Sequence, residues 1–368
     1  MASPATEPRA ADSPLVDCDV HQAWSDPEAI TDRLPKRYRK NRGYTLPGSA
    51  WSNPHGLNRR DAIPDDGGRP GSDPETLLEH HIERFDVDYC ILTGAGIIEV
   101  GIAPDPQYAT ALARAYNEWL IEEWLAVDDR FLGSIVVPPQ VPETAAELID
   151  EFADHEQIVQ VLLPDANASR KPYGRREFWP LYRAAAEYDL PVAIHPGTAG
   201  RGVSNPPTGA GYPSKYIEWH TVLPATYIGH LASLLTEGVF VEIPDLTFVC
   251  IEGGLAWIPH LLWRLDKNWR ALRVQTPWLE RPPSEYVEEH VRFTTQPIEE
   301  PKDPSHIRAI FEMISAETTV MFASDYPHWD NDSPTAGLPP LEDDQLRNVQ
   351  YRTAAETYDL PSNAFGDR

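Results

Sequence analysis

The run Val16-Asp17-Cys18-Asp19-Val20-His21 sets a carboxylate and an imidazole two residues apart at the end of the first apolar stretch. Side chains alternate along a strand, so Asp19 and His21 share one face while Cys18 and Val20 point to the other. Two lone-pair-bearing groups on one face can hold one cation. Alone, so short a pair equally describes an ordinary strand end, and its weight comes from partners elsewhere. Comparable groups follow other apolar runs: His195-Pro196-Gly197, Glu252-Gly253-Gly254, Thr295-Gln296-Pro297 and Ser324-Asp325-Tyr326-Pro327-His328. Asp19, His21, His195, Glu252 and Asp325 are therefore the candidate metal ligands, with Asp325 and Glu252 also the candidate catalytic groups. Each has a structural alternative. His195 could bond a loop carbonyl, Asp325 could cap the last helix, and Glu252 could pair with an arginine. His328 and His220 are candidate substrate contacts, equally readable as structural. His55, His80, His81, His155, His260, His290 and His306 fall in loops or helices and are taken as solvated or structural.

These strand ends need a scaffold that gathers them. From Glu75 onward helix and strand patterns alternate. The helices span 75–85, 106–127, 142–154, 178–188, 216–237, 255–272, 305–314 and 341–358. The strands are VDYCILT, FLGSIVVP, IVQVLL, PVAIH, LTFVCIE, VRFTT and TVMFAS. With the first run this makes eight continuous apolar strands separated by helices, the pattern of a parallel sheet covered on both faces. The expected fold is an α/β (β/α)8 TIM-type barrel, with a doubly wound sheet as the alternative. In a barrel the C-terminal strand ends form the site, which is where the candidate residues fall. Strand one is followed by a Pro-rich, charged insertion over 24–74, long enough to be a lid or substrate-binding excursion. Its basic cluster (Lys36, Arg37, Arg39, Lys40, Arg42) either faces water or offers an arginine, Arg37, to an anionic substrate group. The expected organisation is a disordered leader over 1–13, one domain over 14–360 and a tail over 361–368.

A net charge of −26 over 368 residues opposes nucleic acid or an anionic membrane as partner. Cys18, Cys90 and Cys250 each sit inside an apolar run and read as buried thiols of a reducing compartment, so a cytoplasmic location is expected. No apolar run reaches the length of a membrane span. The aromatics Trp24, Trp51, Trp219, Tyr326 and Trp329 could enclose an organic acid or pack loops, and the helix around Leu261–Arg273 has the composition of a homodimer interface.

DCDVH, AIHPG, the EGG after LTFVCI, and FASDYPHWD resemble the amidohydrolase superfamily, in its amidohydrolase-2 branch with the aminocarboxymuconate-semialdehyde and hydroxybenzoate decarboxylases. The resemblance covers roughly 15–360. It implies a (β/α)8 barrel with a divalent metal held by Asp19, His21, His195 and Asp325. The chain departs from the pattern after strand six, where the decarboxylases usually carry a catalytic His and this chain has Glu252. A carboxylate there can ligate a second metal or act as a base. Three carboxylates and two imidazoles suit one or two ions of Fe, Mn or Zn. The departure favours hydrolysis of a small carboxylic acid derivative (an ester, a thioester such as acyl-CoA, or an amide) by metal-activated water. Non-oxidative decarboxylation of an aromatic or dienoic acid is the alternative. A barrel that keeps the fold as a binding protein without catalysis is the third reading.

Overall fold

The structure is a computed structural model, which describes residues 13–39, 51, 53, 56–65, 67–94, 96–334 and 336–361. The leader residues 1–12, Lys40, Arg42, His55 and the tail from 362 lie outside them. Eight strands run in chain order: β1 Val16–Val20, β2 Tyr89–Leu92, β3 Phe131–Val136, β4 Ile158–Pro164, β5 Val192–His195, β6 Phe248–Cys250, β7 Val291–Thr294 and β8 Val320–Met321. They pair in parallel, each with the next, in the order β1 to β8. Cys18 N–H donates to Phe322 O at 3.0 Å and Val20 bridges to Tyr326, so the last strand returns to the first. A doubly wound sheet would reverse its strand order part-way. This one does not, and the fold is a (β/α)8 barrel.

The strands are short and buried on both faces, as β4 (IVQVLLP) illustrates with all seven residues buried. A strand covered by helices outside and by other strands' side chains inside has no wet face, which removes the alternation of polar and apolar residues. The barrel floor holds one satisfied polar chain. Gln160 Nε2 donates to Ser134 Oγ at 2.8 Å, and Tyr358 Oη donates to Gln160 Oε1 at 3.1 Å. Outside, helices such as Pro106–Leu120 bury one face, including Tyr116 and Trp119. Full burial of an aromatic of that size contributes roughly 1.5–3 kcal/mol.

One expectation changes. The helix expected over 216–237 is two helices, Tyr216–Thr221 and Pro224–Glu237. The first helix ends at Val222, whose backbone leaves helical geometry (φ −101°, ψ 9°). Pro224, which has no N–H to give to the preceding turn, takes the first position of a new helix. Among the described residues the insertion carries only short elements: helices span Pro27–Thr31 and Lys36–Arg39, and Arg60–Ala62 forms a 3-10 turn. It is also fastened to the β8 end. Arg59 N–H donates to Pro327 O and Trp329 N–H to Leu57 O, both at 2.9 Å.

Candidate metal centre and its cavity

Asp19 is the last but one residue of β1 and His21 follows the strand, His195 ends β5, Glu252 follows β6, and Asp325 follows β8. All five are buried. His195 Nε2 lies 3.4 Å from Asp19 Oδ2 and 3.2 Å from Glu252 Oε2. His21 Nε2 lies 2.9 Å from Asp325 Oδ1 and 3.5 Å from Asp19 Oδ1. Ligand atoms of Asp19, His21, His195 and Glu252 all fall within 4.8 Å of one another, and a second group, His21, Asp325 and His328, shares His21.

The ring tautomers decide what this arrangement can hold. His21 Nδ1 donates to Gly94 O and His195 Nδ1 donates to Pro196 O, each at 2.8 Å. In each neutral ring the Nε2 lone pair then faces carboxylate oxygens. Both Nε2 atoms and Asp19 Oδ2 are buried without a hydrogen-bond partner. Converging lone pairs in a dry site repel unless a proton or a cation sits among them. A divalent ion bound by imidazole and carboxylate fits this donor set, and carbonyl-anchored imidazoles are the usual support of such ligands. Without an ion the charge falls to protons. Burial opposes charge on His21, but Asp19 and Asp325 outweigh it and raise the imidazole to about 9. Burial also opposes charge on Asp325, yet His328 and His21 hold its carboxyl well below the usual range. For Glu252 burial, then Asp325 and Asp19, push the carboxyl well up.

Supporting residues come from strands that the ligands do not occupy. Thr93, after β2, donates its hydroxyl to Asp19 Oδ1 at 2.6 Å. Gln296 Nε2, after β7, donates to Asp325 Oδ2 at 3.2 Å. Thr294 Oγ1 accepts from the Glu252 N–H at 2.9 Å. Glu252 and Asp325 adopt left-handed backbone at φ 56° and 63°. That conformation turns their side chains away from the strand direction, at a cost of about 1–2 kcal/mol for a residue with a Cβ. Asp17 would share the face of Asp19 in a regular strand, but the β1–β2 register shifts between Asp17 and Val20. Its carboxylate meets His81 Nε2 at 2.7 Å and accepts from Ser324 N–H at 2.9 Å. His81, taken as solvated or structural, is thus a buried structural residue. Sequence reasoning noted Gln296 at its strand end without a role and overlooked Thr93 and His230. The last is fixed by Tyr173 N–H on one ring nitrogen and by Asp165 O on the other.

A cavity of about 470 Å³ opens above the ligands. His21, His195, Glu252, His328 and His220 line it. His328 Nδ1 lies 2.6 Å from Asp325 Oδ1, and His220 Nε2 lies 3.0 Å from Asp330 Oδ2. Trp51, from the insertion, stacks on Trp219 at 5.5 Å and both line the cavity with Tyr216 and Ile98. Arg37 is not among the lining residues. It is exposed on the helix Lys36–Arg39 with its guanidinium 4.8 Å over the Tyr38 ring. The cavity's arginines are Arg69 and Arg201. All three cysteines are free and buried. Among the described residues no helix is long and apolar enough to cross a membrane.

The amidohydrolase family model, in its amidohydrolase-2 form, matches residues 16–360. The chain belongs to the amidohydrolase-2 family. This amidohydrolase is 25% identical over 313 residues to the gamma-resorcylate decarboxylase of Rhodococcus jostii (strain RHA1), covering 79% of this chain and 80% of the relative. It is 26% identical over 238 residues to a gamma-resorcylate decarboxylase of Polaromonas sp. (strain JS666 / ATCC BAA-500), covering 61% and 68%. Its fold matches a solved dihydroxybenzoic acid decarboxylase of Polaromonas sp. JS666 with bound manganese and the inhibitor 2-nitroresorcinol. There the TM-score is 0.67, with 17% identity over 95% of this chain and 97% of the other. These relatives overturn the expectation of hydrolysis, because the curated proteins that this amidohydrolase resembles release carbon dioxide. The physical reason lies at Glu252. Its carboxylate closes around the same group as Asp19, His21 and His195, and a carboxyl at the cavity wall is as apt to deliver a proton as to hold a second ion.

Proposed function

We propose that this amidohydrolase is a metal-dependent, non-oxidative decarboxylase of a hydroxylated aromatic or dienoic acid. The observation that carries this reading is the convergence of three unpartnered buried atoms, Asp19 Oδ2, His21 Nε2 and His195 Nε2, under an aromatic-walled cavity. The decarboxylase relatives supply the reaction class. Asp19, His21, His195 and Asp325 would hold the cation, with manganese, iron or zinc all suited to the donors. When bound, the ion supplies a Lewis acid to the substrate's carboxylate and neighbouring hydroxyl.

The chain's own residues carry the rest. Loss of carbon dioxide breaks the ring–carboxyl bond and leaves its electron pair on the ring carbon, so a proton must reach that carbon. Glu252 faces both the ligand group and the cavity and is assigned that delivery. His328 holds Asp325 in place and lines the cavity. Trp51 and Trp219 exclude water and present flat faces to a ring.

The test is carbon dioxide release by the manganese-loaded protein over a panel of hydroxybenzoic and dienoic acids, with metal content by elemental analysis alongside. Turnover lost on chelation and restored by metal supports the reading. Bound metal without decarboxylation of any panel member refutes it.

A further inference from the structure

One polar pair on the cavity wall has no part in the chemistry at the cation. Glu99 lies in the 3-10 turn Ile97–Ile102 after β2, and Arg201 lies in the loop after β5. Both line the cavity. Arg201 Nη1 donates to Glu99 Oε1 at 2.6 Å, and the guanidinium lies 6.0 Å over the Trp219 ring. Their side chains are 18% and 11% exposed. Arg201 Nε is buried without a hydrogen-bond partner.

The backbone on both sides is pinned. Arg201 N–H donates to Thr198 O at 3.0 Å, and Ser204 Oγ donates to Arg201 O at 2.7 Å. Asp165 Oδ1 accepts from Thr198 N–H at 2.9 Å and from Ala199 N–H at 3.1 Å. Beside Glu99, Gln140 Nε2 donates to Val100 O at 2.7 Å and Ala168 N–H to Gly101 O at 2.8 Å. The two loops are therefore held without the ion pair. A nearly buried ion pair is a poor source of stability, since desolvation offsets most of its attraction. A guanidinium that lines the cavity beside the stacked indoles, with one of its buried N–H groups unsatisfied, points to a ligand.

We infer that Arg201 and Glu99 form a subsite for a neutral hydroxyl on the substrate ring, away from the carboxylate that leaves. The inference rests on the proposed function and names the substrate class more closely. A hydroxyl both accepts and donates, and the pair offers a guanidinium N–H and a carboxylate oxygen side by side. Charge selects against a second carboxylate. Glu99 offsets the charge of Arg201, and Glu252 and Asp330 line the same cavity. The other lining arginine, Arg69, is exposed, where solvent screens it.

Titration calorimetry on the full, manganese-loaded chain tests this with three kinds of ligand: salicylate, the salicylates carrying a second hydroxyl at each remaining ring position, and the same ring with a second carboxylate. One dihydroxy isomer should bind about 10- to 100-fold tighter than salicylate, the worth of a hydrogen bond to a charged group. Arg201→Met should abolish that gain and leave salicylate within about twofold. Glu99→Gln should free the guanidinium's charge and move the preference to the dicarboxylate. The subsite is overturned if no second hydroxyl gains affinity, if Arg201→Met weakens both ligands equally, or if the unmodified protein prefers the dicarboxylate. If Arg201→Met does not fold, Glu99→Gln decides alone, and an unchanged ligand order overturns the subsite. Failure of every ring acid to bind overturns the subsite and the aromatic half of the proposed function together, a pattern distinct from binding that ignores the second hydroxyl.

Discussion

His21 carries the conflict that a cation resolves. One ring nitrogen is committed to Gly94 O, and the other faces Asp325 at 2.9 Å with Asp19 beyond it. The protonated ring and the bound metal are alternative answers to the same negative charge, so metal binding should release a proton. Thr93 steadies the carboxylate that both histidines face. Thr93→Val keeps the shape and removes the hydroxyl, and should weaken manganese binding about 10- to 100-fold, read as the dissociation constant by calorimetry. Glu252→Gln separates two roles. As a proton carrier its loss should cut carbon dioxide release about 100- to 10,000-fold with metal content unchanged. A fall in bound metal would instead place Glu252 among the ligands.

At the scale of elements, the loops after β1, β2, β5 and β8 line the cavity, and the loop after β4 braces the one after β5 through Asp165. Two features of these loops can be tested through stability. Gly94 has φ +72°, and a Cβ added there would lie 2.5 Å from Tyr116 Oη. Gly94→Ala should destabilise the fold by about 1–3 kcal/mol, measured as a shift in urea midpoint, and displace the carbonyl that holds His21. His230 joins the loop after β4 to the helix Pro224–Glu237. Its Nδ1 accepts from Tyr173 N–H and its Nε2 donates to Asp165 O. Burial lowers its imidazole below the ordinary 6.5, although the bond to Asp165 pulls upward. As pH falls below 6.5, the unfolded chain takes up a proton there before the folded chain does. Stability is then full above that value and is lost as pH falls below it. Urea midpoints measured from pH 7 down to pH 5 should decline, and His230→Gln should flatten part of that decline.

Over the whole molecule, a ligand held only by the folded barrel stabilises all of it. Free manganese at a hundredfold over its dissociation constant should add about 2.7 kcal/mol, seen as a higher Tm by calorimetry that chelation reverses. A Tm indifferent to metal and chelator would argue against a centre built from three strand ends. The acidic surface, −26 over the chain, should draw cations toward the mouth and repel anionic acids.

Continuous apolar runs from β2 to β8, each followed by a helix, announced the barrel, because a strand covered on both faces has no polar side to show. The residues just past those runs announced the candidate cluster, because parallel strands deliver their C-terminal ends to one rim. Asp19, His21, His195, Glu252 and Asp325 were legible for that reason alone. The sequence did not settle the reaction, since a carboxyl such as Glu252 serves a hydrolase and a decarboxylase alike. Nor could it show what depends on distance. The left-handed turns at Glu252 and Asp325, the Thr93 and Gln296 supports, the parting of Asp17 from Asp19 and the Arg201–Glu99 pair join residues far apart in the chain or depend on local backbone geometry. Spacing along a chain encodes periodicity. Contacts between loops of different strands exist only once the barrel has closed.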